Sequence, residues 1–255
     1  MPRQLALFLT AVQFLTRVPT PSLKTFDPDW IRQSARYFPL VGGLVGLASG
    51  AVFIAASEVW TGLLPALLAT GAGILFTGAF HEDGLADTAD GLGGGQTPER
   101  RLEIMKDSRL GTYGVIALGL ALSLKVAALS QIDPAIILAV LLAAHAGGRG
   151  VAVLAMRLAP YAGDRASTKV KPVAEGVGRT EVGIALALAA LALIPAVLLF
   201  PAATAVAVSV GAVCAGLVAL QARRLIGGWV GDTLGACEQA LEIGFLVAFA
   251  GMVVA

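Results

Sequence analysis

Three aspartates, Asp83, Asp87 and Asp90, recur at i, i+4 and i+7 within the run HEDGLADTADG, residues 81–91. On a helix these positions fall within about 60° of one another, so three carboxylates share one face. Like charges held that close repel unless a cation sits among them. Hard oxygen donors suit Mg²⁺, and Mg²⁺ commonly accompanies phosphate chemistry. A plainer explanation is that the acids complement the dipole at a helix start. That help reaches only the first turn, and Asp87 and Asp90 lie past it. Gly84 and Gly91 bracket the run and allow close backbone approach. His81 and Glu82 flank it as alternative proton acceptors for an attacking hydroxyl, although a histidine beside a carboxylate is as often just hydrogen-bonded to it.

Other polar groups recur at intervals along the chain. Lys106, Asp107 and Arg109 precede a long apolar stretch, and Gly111 and Gly114 frame a turn whose amides could cradle phosphate. The same segment would equally rest on anionic lipid. Between the two motifs, the stretch 93–98 reads as a flexible connector. His145 and Arg149 form an i, i+4 pair inside an apolar span, where charge usually faces the bundle interior; this favours a phosphate or substrate contact over snorkelling. Lys125 lies near the opposite end of its helix, can snorkel outward and is given no role. Asp232 either caps the last helix or joins Glu238 and Glu242 as a second cation-facing wall. Lys169, Lys171 and Arg179 either gather an anionic substrate or anchor the chain at the membrane.

The elements that must position these groups are membrane helices. The chain is 57% hydrophobic and 14% charged, with a mean hydropathy of +0.82, far from a soluble domain. A net charge of +1 gives no general attraction to nucleic acid. Cys214 and Cys237 match no zinc spacing. Glycines such as Gly42, Gly43, Gly46 and Gly50 suit closely packed membrane helices. Seven stretches are long enough to span, near residues 39–57, 61–80, 114–130, 134–158, 182–200, 202–223 and 235–255. The segment 4–16 is apolar but short, which predicts an interfacial or re-entrant helix rather than a signal peptide. The expected fold class is therefore all-α, a polytopic membrane bundle of about seven transmembrane helices plus that N-terminal helix, in one integral membrane domain over 1–255. Long polar loops at about 81–113, 159–181 and 224–234 fall on one side with the N-terminal residues. That side carries 15 of the 18 Lys and Arg residues, which predicts that it is cytoplasmic.

Read together, HEDGLADTADG (81–91), KDSRLGTYG (106–114) and GDTLG (231–235) resemble the signature stretches of the cobalamin synthase family, the adenosylcobinamide-GDP ribazoletransferases. FLTRVP (14–19) and RYFPLVG (36–42) are similar to its N-terminal pattern. The resemblance implies an integral membrane transferase that joins α-ribazole, or α-ribazole 5′-phosphate, to adenosylcobinamide-GDP and releases GMP. The product is adenosylcobalamin or its phosphate, with Mg²⁺ as the family's cation. In the mechanism that follows, Asp83, Asp87 and Asp90 would hold the metal and His81 or Glu82 would take the hydroxyl proton. Lys106, Asp107, Arg109, His145, Arg149, Asp232 and Glu238 would contact substrate. The expected partners are the two substrates and the lipid bilayer of the cell inner membrane, with the active site on the cytoplasmic face. No nucleic acid is expected, and a homo-oligomer or contact with other cobalamin-assembly enzymes is left open. Two alternatives stand beside this reading. A CDP-alcohol phosphotransferase would carry Ala-Arg two residues after its Asp-Gly, whereas Ala86 is followed by Asp87. A cation-coupled transporter would place its charges at the midplane, on broken helices and repeats.

Overall fold

The structure is a computed structural model and describes residues 2–21, 29–163 and 176–254. The helices are α1 (Arg3–Leu15), α2 (Asp29–Ser34), α3 (Phe38–Ser57), α4 (Leu64–Thr77), α5 (Phe80–Gly94), α6 (Pro98–Met105), α7 (Thr112–Leu129), α8 (Ile137–Leu158), α9 (Arg179–Leu199), α10 (Pro201–Ile226) and α11 (Gly231–Val254). A single 3₁₀ turn, Ala35–Tyr37, joins α2 to α3. Pro39, Pro65, Pro98 and Pro201 each lie in a first helical turn, where the missing N–H is not needed and the fixed φ is already helical. Among the described residues the only β-type pairing is an isolated parallel bridge between Tyr161 and Trp229. The fold is an all-α polytopic membrane bundle. Among the described residues six helical stretches are long and apolar enough to cross a bilayer, and a seventh crossing results if the bent pair α4–α5 counts as one. At 13 residues, α1 is too short to cross and packs its Ala6, Leu7, Ala11 and Leu15 inward.

The bundle closes around α8 and α11, whose large buried side chains include Ile137, Leu141, Phe245 and Phe249. Helix α3 reaches α8 so closely because Gly42, Gly46 and Gly50 present a single small-residue face, i, i+4 and i+8, to His145, Leu141 and Leu138. A Cβ added at Gly46 would press into the Leu141 carbonyl, which is backbone and cannot swing away. Gly46→Ala is expected to lower stability by about 1–3 kcal/mol. By contrast, Gly71→Ala in α4 meets nothing within 4 Å and gains helix propensity. Thermal unfolding of the two variants in detergent should move in opposite directions.

The second crossing differs from the sequence expectation. The predicted stretch 61–80 runs as a helix only to Thr77, about 21 Å, short of the roughly 30 Å of hydrocarbon. Gly78 and then Ala79 adopt left-handed conformations (φ 69° and 60°), and α5 leaves at 89° to α4. The end of α1 secures this corner, since the Arg17 amide donates to the Phe76 carbonyl at 2.7 Å. Helix α5 therefore lies across the end of the bundle. Nor is the stretch 93–98 a slack connector. Helix α5 continues to Gly94, and the Thr97 hydroxyl caps α6 by accepting from the Arg100 amide at 3.3 Å.

Loop parity and the basic bias predict a sided topology. A reporter fused after Ala255 is expected to be active outside the cytoplasm, and one inserted at 93–98 active inside. Both reporters on one side would mean an odd error in the number of crossings between them.

Candidate active site

Helix α5 is placed by glycines. A Cβ at Gly84 would sit 2.8 Å from the Asp232 carbonyl oxygen, and one at Gly235 would sit 3.2 Å from that of His81. The start of α11 thus lies directly on the first turns of α5, and Asp232 joins the acidic face. Asp83 is exposed, Asp87 half-buried and Asp90 buried. Burial first, and then the charges of Asp83, Asp232 and Asp90, push the Asp87 carboxyl up to about 7. A cation would relieve that repulsion, and its ligands here would all be hard carboxylate oxygens, so the donor set fits Mg²⁺.

Asp90 is turned elsewhere. Its two oxygens accept from the Gly111 amide at 2.7 Å and the Gly114 amide at 2.9 Å, so it caps α7. The amides that the sequence offered as a phosphate cradle are therefore engaged by Asp90. Asp107 and Arg109 pair with each other: Arg109 Nη2 donates to Oδ2 at 2.6 Å and Nε to Oδ1 at 3.0 Å. The Arg109 guanidinium beside it, chiefly through those hydrogen bonds, holds the Asp107 carboxyl down at about 2. Lys106 ends α6 and is exposed. Arg179 begins α9, while Lys169 and Lys171 lie outside the described residues.

Behind α5 the interior is charged. Glu242 accepts from Lys125 Nζ at 2.9 Å and from Arg149, and its carboxylate lies 2.8 Å from His145 Nδ1. Arg149 also pairs with Glu238, and Lys125 donates to Gln239 Oε1 at 2.9 Å. Lys125 is therefore 5% exposed and inward-facing, not a snorkelling residue. Two interior carboxylates on α11 attract two interior cations from α7 and α8, because membrane-depth charges need partners. Among the described residues, His145, Glu238 and Glu242 are the set of His, Cys, Asp or Glu side chains whose ligand atoms converge within 4.8 Å. Two resident cations already neutralise this set, so it fits an ion-pair core and not a metal centre.

The two candidate proton acceptors are separated. Glu82 points into the bundle, where its Oε1 accepts from Gln239 at 3.2 Å. His81 instead lines a cavity of 270 Å³ together with Arg149, Phe38, Phe80, Trp229 and Gly235. Burial first, then Arg149, holds the His81 imidazole well below its ordinary pKa, so it is neutral at pH 7 and keeps a lone pair. The outer wall of the cavity is tied down by the Tyr161–Trp229 bridge: the Trp229 amide donates to Pro160 at 3.0 Å and the Ala162 amide to Trp229 at 2.9 Å. Sequence reasoning missed this aromatic wall, since its members come from α1, α3, α5 and two loops.

A carboxylate face close to a largely apolar cavity in a polytopic helical bundle defines an integral membrane enzyme. Its residues 7–250 match the model of the cobalamin-5-phosphate synthase family. The chain belongs to that family. It is 44% identical over 248 residues to the adenosylcobinamide-GDP ribazoletransferase of Leptothrix cholodnii, covering 93% of this chain and 92% of the relative. The enzymes of the same description from Shewanella frigidimarina and Shewanella piezotolerans are 41% and 42% identical, over 94% of this chain and 92% and 93% of theirs. No solved structure matches the chain significantly.

Proposed function

We propose that this protein transfers α-ribazole, or its 5′-phosphate, onto adenosylcobinamide-GDP with release of GMP, at the α5–α11 junction on the cytoplasmic face of the inner membrane. The single observation that supports the placement is the contact of Gly84 with Asp232, which packs α5 against the start of α11, whose Gly231 and Gly235 line the His81 cavity. Asp83 and Asp87, with Asp232 opposite, would hold Mg²⁺, which when bound supplies positive charge to the diphosphate and the departing GMP. Asp90 acts from behind by fixing the α6–α7 turn, the segment that carries Lys106 and Arg109. Arg149 is steadied by Glu238 and Glu242 and reaches the cavity with its remaining donors. His145 positions Glu242. His81 meets the attacking hydroxyl and accepts its proton at a ring nitrogen.

The direct test is to incubate the purified protein with adenosylcobinamide-GDP, α-ribazole and Mg²⁺. GMP release is expected; turnover of a CDP-lipid or solute uptake would support the alternatives instead. The roles of the two flanking residues also separate. His81→Gln is expected to lower kcat about 10²-fold or more with unchanged melting. Glu82→Gln should act mainly on melting, because it lies among buried partners. Equal kcat losses in both variants at unchanged melting would return the assignment to an open choice.

A further inference from the structure

We infer that the 270 Å³ cavity lined by His81 is the subsite for a flat, apolar, fused-ring base, the base of the ribazole. This rests on the transfer proposed above. An apolar cavity of about 150 Å³ accepts benzene, so nearly twice that volume accommodates a bicyclic ring. The walls are aromatic on two sides. Phe14 stacks on Phe38 with centroids 5.6 Å apart, and Phe80 meets Phe14 edge-on at 5.5 Å. On the far side Tyr161 and Trp229 pack at 5.0 Å and 67°. Such walls favour a planar ring through offset-stacked and edge contacts.

The polar groups decide which ring. Among the described residues no carboxylate or amide side chain lies in the wall, and the Trp229 indole N–H is already given to the Ala159 carbonyl at 3.0 Å. Arg149 can donate into the cavity, and the Tyr161 hydroxyl also lines it. A guanine would bring an amide-type edge with buried N–H donors and no side-chain carboxylate or amide to receive them, at a cost of about 1–3 kcal/mol for each one left unpaired. A benzimidazole presents one ring-nitrogen acceptor and no exocyclic donor, and Arg149 satisfies that acceptor. Gly231 and Gly235 in the same wall bracket Asp232, so a sugar carried on that base leaves the cavity beside the carboxylate face.

Ala152 on α8 lines the cavity, and a larger side chain there occupies its volume. In lipid nanodiscs, Ala152→Phe is expected to raise the KM for α-ribazole about tenfold or more while the KM for adenosylcobinamide-GDP changes less than about twofold. Ala152→Leu should give a smaller shift of the same kind and serves if the Phe variant does not fold. Calorimetric titration of the wild type with free benzimidazole should show binding that Ala152→Phe abolishes. A rise confined to the KM of the GDP substrate, or no change in either KM, would overturn the assignment. A wild type that binds benzimidazole in the Ala152-dependent way but releases no GMP would overturn the transfer reaction and leave the base subsite standing.

Discussion

Asp87→Asn is expected to abolish transfer while leaving the metal-free protein at least as stable as the wild type. An amide oxygen is a weaker Mg²⁺ ligand than a carboxylate, and loss of one preorganised electrostatic group costs about 10²–10³ in kcat. The stability change has a pH signature. The folded-state pKa of Asp87, about 7, lies above its ordinary 3.8. Between those values the folded chain binds more protons than the unfolded chain, so the contribution of Asp87 to stability falls as pH rises from about 4 to about 7. Asparagine carries no such penalty. The variant should therefore melt no lower than wild type at pH 8, with any gain gone by pH 4, and added Mg²⁺ should stabilise it less than wild type. Melting curves with and without Mg²⁺ at the two pH values check this. Normal activity with normal Mg²⁺ dependence would remove Asp87 from the metal site, and a variant that simply misfolds would give it a structural role.

Glu242→Gln is expected to act in the opposite way, through the fold. Glu242 is fully buried and holds Lys125, Arg149 and His145. Removing one member of a buried ion cluster leaves uncompensated charge and costs about 3–5 kcal/mol. Adding Lys125→Met removes the stranded ammonium and should recover part of that loss, measured as melting temperature in detergent or as accumulation in the membrane. A double variant no more stable than Glu242→Gln alone would show that the two charges do not act as a pair. Because Arg149 borders both this cluster and the His81 cavity, residual activity of Glu242→Gln should also fall.

The sequence by itself determined the membrane class, the helices and the family, because apolar length and motif spacing are properties of contiguous residues. It also placed Asp83 and Asp87 on one helical face, which 3.6-residue periodicity fixes without any partner. The His145–Arg149 pair was legible as interior for a similar reason, since charge amid a long apolar run needs company. Other features were decided only in three dimensions. Helix α7 is apolar nearly all round apart from Lys125, and such a helix gives no sign of which way it is rotated. Lys125 could be read as inward only once α11 lay beside it. Asp90 looked identical to its two neighbours until the α6–α7 turn folded back onto it, 21 and 24 residues further along the chain. The right-angle turn into α5 depends on two consecutive left-handed residues, and only Gly78 announces that conformation; Ala79 does not. The aromatic cavity joins Phe14 to Trp229, and no local pattern couples residues so far apart. Helix identity follows from local periodicity, but helix rotation and neighbour choice follow from packing, and the site was assembled from the second.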